Sequence, residues 1–227
     1  MHLPRKSGAW GIKFECGFVA NPAVYALAVS LVDIDIPGIP CGLSCWEEFS
    51  RPVTLVHVDA HLDWRQQSNG VSEGFRSPLR PASERPWIEH IVQIGIRGNG
   101  SLSCEEVREL QSLGADIITA YEMHEIGIDA VLERIPQGAY YVSIDADGLD
   151  PTIMPGVQSP TPGGLSWVQT HRLLHGLARR GRILAMDLVE IAPSFDSANL
   201  TLVHAERLLF NFIGACVHAG YYARESG

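Results

Sequence analysis

The stretch VTLVHVDAHLDW, residues 53–64, decides how this chain is read. Its first half, Val53–Val58, is apolar and β-branched, the composition of a strand buried on both faces. Its second half sets Asp59, His61 and Asp63 two residues apart, directly after that run. On an extended backbone, residues two apart share a side. Three ligand-type side chains are therefore expected to converge at the carboxyl end of a strand, where open parallel sheets build their sites. Without a cation such a set would repel itself or stay unsatisfied.

Working outward, apolar runs alternate with helical patterns from about residue 50 onward. The patterning predicts strands over 53–58, 90–96, 116–119, 140–144 and 183–189. It predicts helices over about 103–114, 122–134, 166–180 and 199–222, two of them opened by capping boxes (Ser103 with Glu106, Ser166 with Gln169). Strands alternating with helices imply right-handed crossovers and a mostly parallel sheet covered on both faces, an α/β fold. No repeat or linker interrupts 1–227, which reads as one domain. The first fifty residues diverge from the pattern; within them 24–36 is apolar and suits a helix or a strand. Residues 65–87, rich in Gly and Pro, read as a long loop, a functional expectation given where it sits.

Composition narrows the function. Of 227 residues 46% are hydrophobic and 19% charged, an ordinary globular balance. The longest apolar stretch, Leu208–Val217, is ten residues long, half of a membrane span, so a buried helix and no membrane partner are expected. The N-terminus has basic residues but no apolar core, so no secretory signal is expected. Seventeen Lys+Arg against 26 Asp+Glu leave −9, which argues against nucleic-acid backbone and suits cationic small molecules or metal ions. Five Cys, only Cys41 and Cys45 close together, read as free thiols in a reducing cytoplasm.

A second segment, SIDADGLDP (143–151), repeats the theme: Asp145 and Asp147 follow an apolar strand at a spacing of two. Asp150, before Pro151, reads as a turn residue. A third, MDLVEIAPSFD (186–196), ends a strand with Asp187 and Glu190, and a carboxylate there is suited to a planar guanidinium. Four carboxylates and one imidazole without a thiolate favour Mn²⁺ or Mg²⁺ over a zinc Cys/His site, although Zn²⁺ or Ni²⁺ could also occupy it; carboxylates can bridge two ions, and metal-assisted hydrolysis is the reaction type expected. His171 and His175, spaced H-x-x-x-H, lack the glutamate of H-E-x-x-H and are assigned to packing. GIRGNG (95–100) is a weak match to a dinucleotide loop, in the wrong order.

DAHLD (59–63), SIDADGLDPTIMPGVQSPTPGGLS (143–166) and DLVEIAP (187–193) resemble the signature segments of the ureohydrolases, the arginase–agmatinase family. The resemblance covers roughly residues 52–222. It implies a three-layer α/β/α fold, two Mn²⁺ ions, and hydrolysis of a small guanidino compound to an amine and urea. It carries Asp59, His61, Asp63, Asp145 and Asp147 over as metal ligands, with Asp59 and Asp145 bridging. Glu190 matches the guanidinium-binding glutamate and Asn69 a substrate-loop asparagine. Asp59, Asp145 and Glu190 are thus the expected catalytic set. Overall wording is agmatinase-like, and family relatives imply a homo-oligomer, a trimer or hexamer.

Three departures accompany the resemblance. LVDIDIPGIPCG (31–42) holds no histidine where the family completes one metal site, and Asp35 is the available oxygen substitute. GFRSPLR (74–80) has Phe75 where the family has a proton-transfer histidine, a loss that can slow a reaction by about 10²–10⁴-fold. The N-terminus is short for the family, which predicts an exposed sheet edge. These departures also accommodate a catalytically silent structural subunit, or a binuclear hydrolase of another C–N bond.

Overall fold

The computed structural model describes the backbone of residues 13–18 and 25–30, and residues 52–65, 79–98 and 104–221 in full. Cys41, Cys45, Asp35, Asn69, Phe75 and the cap at Ser103 lie outside the described residues. The strands are β1 (Lys13–Phe18), β2 (Tyr25–Ser30), β3 (Val53–Val58), β4 (Ile88–Ile96), β5 (Asp116–Thr119), β6 (Ala139–Asp145) and β7 (Arg182–Ile191). The helices are α1 (Leu79–Ser83), α2 (Cys104–Ser112), α3 (Ala120–Arg134), α4 (Trp167–Arg180) and α5 (Leu200–His218).

The strands form one sheet in the order β1-β2-β7-β6-β3-β4-β5. The five strands from β7 to β5 run parallel, as the alternating pattern requires, while β1 and β2 add an antiparallel pair. The apolar segment around residue 25 is therefore a strand. It also corrects the expectation of a bare edge, because β2 pairs along β7 and satisfies its outer backbone groups. The region expected to be a structureless loop holds α1, in spite of Pro81.

Alternation along the central strands sorts the core into two layers. Val56 and Val58 of β3 join α3, α4 and α5 in one apolar cluster, built with Ile94, Val142, Ile144, Leu173, Leu177 and Phe212. Val53 and Leu55 face the other way, toward α1 and α2, with Trp64, Leu79, Trp87 and Leu110. Helices thus cover both faces of the sheet, a three-layer α/β/α arrangement. Every residue of β3 is buried, Thr54 and His57 included, which accounts for its predominantly apolar, β-branched composition.

Two helix starts show how local sequence anchors these layers. Ser166 caps α4 by accepting from the Gln169 backbone, and the Gln169 side chain returns the contact, as predicted. Thr119 caps α3 by accepting from Glu122 N, so α3 begins two residues before the expected position. In α4, His171 and His175 stack on each other, and burial together with His171, Arg179 and His218 lowers the His175 pKa.

Asp187 in β7 is a buried acid without a cation; Tyr141 donates a short hydrogen bond to it. Burial pushes its carboxyl up to about 6, against the pull of hydrogen bonds from Ser143 and Tyr141. The native state therefore holds a proton that the unfolded chain releases near 3.8. Its stabilising contribution is full below that value and declines as pH rises to about 6. Asp187→Asn should flatten the stability profile across this window in denaturant melts; an unchanged slope would refute the assignment. Phe212, fully buried in α5, should cost about 3–5 kcal/mol when replaced by Ala, read from urea unfolding.

Candidate metal centre

β3 and β6 lie side by side in parallel, with Val58 opposite Ile144. Their next residues, Asp59 and Asp145, therefore emerge together at the carboxyl edge of the sheet. β7 lies beyond β6, with Val189 opposite Asp145, which brings Glu190 to the same edge.

The ligands converge by a different route from the one the spacing implied. Neither acidic segment continues as an extended strand. After Val58 the backbone bends at Ala60 and His61, and Asp63 adopts a left-handed φ of 43°. After Asp145 the chain enters a 3₁₀ turn, Ala146–Gly148, whose first N–H groups are capped by the Asp145 carboxylate (2.8 Å from Asp147 N). Among the described residues only three non-glycines have positive φ, and Asp63 and Glu190 (φ 58°) are two of them. Such backbone is strained for residues with a Cβ and persists where the surroundings impose it.

The two turns are tied to each other. Ala60 N donates to Asp147 Oδ1 at 3.2 Å, and His61 N donates to Asp59 Oδ1 at 2.7 Å. His61 Nδ1 lies 3.2 Å from Asp147 Oδ2 and 3.5 Å from Asp59 Oδ1. Two ligand groups result, each with its donor atoms within 4.8 Å: Asp59, His61 and Asp147, and Asp59, Asp63 and Asp145. All five expected ligands are brought together, and Asp59 belongs to both groups.

The charges in this cluster fit a divalent cation. Asp59, Asp145 and Asp147 are all buried, and Asp59 Oδ2 accepts no hydrogen bond. Burial and then the Asp63 charge push the Asp59 carboxyl well above the ordinary range. Asp145 is raised by burial and by Asp147, Asp59, Glu190 and Asp63, in that order. Asp147 is held low: burial works against it, but the hydrogen bond and charge of His61 prevail. His61 itself is raised to about 10 by its hydrogen bonds to Asp147 and Asp59. An imidazolium is thus one source of positive charge in the cluster, beside the Arg97 guanidinium. A divalent ion would supply more and leave His61 a neutral nitrogen donor.

Residues not singled out from the sequence hold the site in place. His57 is buried, its pKa lowered to about 4 by burial against the field of Asp147, so it is neutral. Its Nε2 lies 3.4 Å from Asp59 Oδ2, and its Nδ1 lies 3.5 Å from Gln93 Nε2. Gln93 donates to Leu62 O at 2.9 Å. Arg97 follows β4 and donates to the carbonyls of Asp147 (2.7 Å), Gly148 and Leu149 (both 3.3 Å). It reaches Thr161 O (2.5 Å) and Pro162 O (3.1 Å) as well, clasping both ends of the loop after Asp147. Within GIRGNG, Arg97 is thus a structural cation. Gly148 is required by close approach, since a Cβ there would sit 2.8 Å from Asp59 N.

Other candidates resolve into local roles. Asp150 accepts from Thr152 N and Oγ1 and from Gly163 N, the turn residue that was expected. Asp187 is taken up by Tyr141 within the core.

A family model described as the arginase family matches residues 38–214. The chain is similar to N(1)-aminopropylagmatine ureohydrolase of Thermus thermophilus, 33% identical over 176 residues, covering 76% of this chain and 57% of that protein. It is similar to guanidinopropionase of Pseudomonas aeruginosa, 32% identical over 185 residues, covering 78% and 56%. Among solved structures, agmatine ureohydrolase of Thermoplasma volcanium superposes with a TM-score of 0.67 at 29% identity, over 77% of this chain and 58% of that one. Proclavaminate amidino hydrolase from Streptomyces clavuligerus gives 0.65 at 29%, over 74% and 56%. The chain spans about half the length of the curated relatives it matches.

Arg97→Met should loosen the loop after Asp147 and weaken divalent-ion binding by about 10–100-fold, the usual effect of losing support behind a ligand. Arg134→Met, which breaks an outlying pair with Asp116 and Glu122, should leave binding unchanged. Equal affinities in a Mn²⁺ titration of the two variants would refute the role given to Arg97.

Proposed function

The chain belongs to the arginase family, and on that premise we propose that it hydrolyses a small, agmatine-like guanidino compound to an amine and urea with two Mn²⁺ ions. The observation that carries the proposal is the pair of ligand groups sharing Asp59. In this reading Asp59, His61 and Asp147 hold one ion and Asp59, Asp63 and Asp145 the other. Asp59, common to both groups, would be a ligand shared by the two ions, and Asp145 is proposed as the second shared ligand. Bound ions supply Lewis acidity and make water acidic enough to deliver a nucleophile near neutral pH.

The protein's own groups orient and select. Glu190, held at the sheet edge beside Asp145, is proposed to accept paired hydrogen bonds from the guanidinium. A carboxylate-rich edge attracts a cationic substrate, and an amine-ended guanidine suits it better than an amino acid, whose carboxylate would be repelled. The names of the similar proteins, an aminopropylagmatine ureohydrolase and a guanidinopropionase, support a guanidino substrate class. The proposal extends to a homo-oligomer, trimeric or hexameric, in a cytoplasmic setting.

The test is metal stoichiometry and product analysis on purified protein reconstituted with Mn²⁺ and freed of excess. Two ions per chain and Mn²⁺-dependent urea release from a guanidine panel are expected. Asp145→Ala and Asp147→Ala should each abolish ion retention and turnover. Unchanged metal content in both variants would sink the site assignment. Two retained ions with ammonia or formamide in place of urea would move the reaction to another C–N bond. Retained ions without turnover would make the chain a silent subunit.

A further inference from the structure

The segment GIRGNG, at the end of β4, sets Gly98 against the bend that carries His61. Arg97 N and Gly98 N both donate to Ala60 O, at 2.9 and 2.7 Å. Asp59 N donates to Ile94 O at 3.0 Å, so the chain leaving β4 runs beside the chain leaving β3. The main chain of residue 98 thereby lies against the half-buried imidazole of His61. A Cβ at position 98 would sit 2.5 Å from His61 Cδ2 and 2.6 Å from its Nε2. Those two atoms form the side of the ring opposite Nδ1. Nδ1 itself lies 3.2 Å from Asp147 Oδ2 and 3.5 Å from Asp59 Oδ1. The backbone does not call for glycine here, because Gly98 is not among the glycines of positive φ. The space taken by the ring does.

We propose that Gly98 is a positioning residue for His61: having no side chain, it lets the imidazole lie with Nδ1 turned into the acidic cluster. Carbon atoms in ordinary contact stand about 3.5–4.0 Å apart, so an alanine at 98 would displace the ring by roughly 1 Å. Ligand distances to an ion tolerate only about 0.2 Å. Such a displacement spoils the group of Asp59, His61 and Asp147 and spares that of Asp59, Asp63 and Asp145, which does not use the ring. Arg97 acts on the loop after Asp147 through its guanidinium, whereas Gly98 acts on the imidazole by direct contact. The consequence for metal rests on the function proposed above; the contact itself does not.

The test has a metal-free arm and a Mn²⁺ arm, both on the full chain. In the first, urea midpoints in EDTA are compared for the unaltered protein, Gly98→Ala, His61→Ala and the double variant. Gly98→Ala is expected to lower the midpoint, and to lower it less once His61→Ala has removed the ring. Equal shifts in the two backgrounds would overturn the proposal, since the glycine would then serve the Ala60 carbonyl, 3.0 Å from that Cβ. A Gly98→Ala chain that folds only together with His61→Ala would support it. In the second arm, free Mn²⁺ is counted by electron paramagnetic resonance during titration. Gly98→Ala is expected to weaken one of two ions by about 10–100-fold and to leave the other unchanged. Gly214→Ala on α5, whose Cβ meets nothing within 4 Å, should change neither. Two ions held by Gly98→Ala as tightly as by the unaltered protein would overturn the proposal. The urea arm needs no metal, so it decides the contact even where the unaltered protein retains no Mn²⁺, the result that would instead sink the function proposed above.

Discussion

The parallel pairing of β3 with β6 is the constraint on which the rest of the site depends. With Val58 opposite Ile144, the residues that follow must be neighbours, and both are aspartates. Backbone hydrogen bonding and a core of Val and Ile hold two acids together that would otherwise separate. Burial then makes their charge expensive, and the chain responds with His61, with capped N–H groups and with a donor geometry that invites a cation. Folding energy from the apolar layers is thus converted into an electrostatic demand at the sheet edge.

Residues behind the carboxylates hold them in place. Arg97 spends its donors on main-chain carbonyls on both sides of the loop after Asp147. It therefore positions a carboxylate through the backbone, while its charge also acts on Asp147, Asp150, Asp59 and Asp145. His57, neutral and buried, stands behind Asp59 in the same way and is linked through Gln93 to the backbone of Leu62. The left-handed Asp63 and Glu190 are local strains of the kind that a scaffold tolerates where a side chain must be aimed against its backbone preference. A more relaxed backbone would return both carboxylates to the strand alternation and scatter the set.

The outer helical layer follows a different logic. α4 and α5 bury their apolar faces against the sheet, and what they leave outside is unconstrained by the acidic centre. Its imidazoles form a nitrogen-only neighbourhood, whereas the sheet edge is dominated by oxygen.

Most of the scaffold was legible before folding. β3 and β5 match their predicted spans, the other parallel strands are longer by two or three residues, and α4 keeps its predicted cap, because apolar periodicity and capping are local signals. The identities of Asp59, His61, Asp63, Asp145, Asp147 and Glu190 as candidates were also local, carried by residue type and spacing. The geometry was not. Equal spacing of two suggested an extended ribbon of ligands, whereas the chain uses a bend after β3 and a 3₁₀ turn after β6. Each is shaped by a local carboxylate bond, and the two are joined across 87 residues of sequence by Ala60 N to Asp147 Oδ1. Arg97, His57 and Gln93 were passed over for the same reason, since a residue that serves a distant backbone leaves no mark in its own neighbourhood. The sequence by itself determined the parallel strands and the helices between them, and which side chains are candidates for chemistry, because both are local signals. Only tertiary structure decided that Asp59 is shared by two ligand groups, because sharing is a matter of distances between strands, and those depend on register and packing.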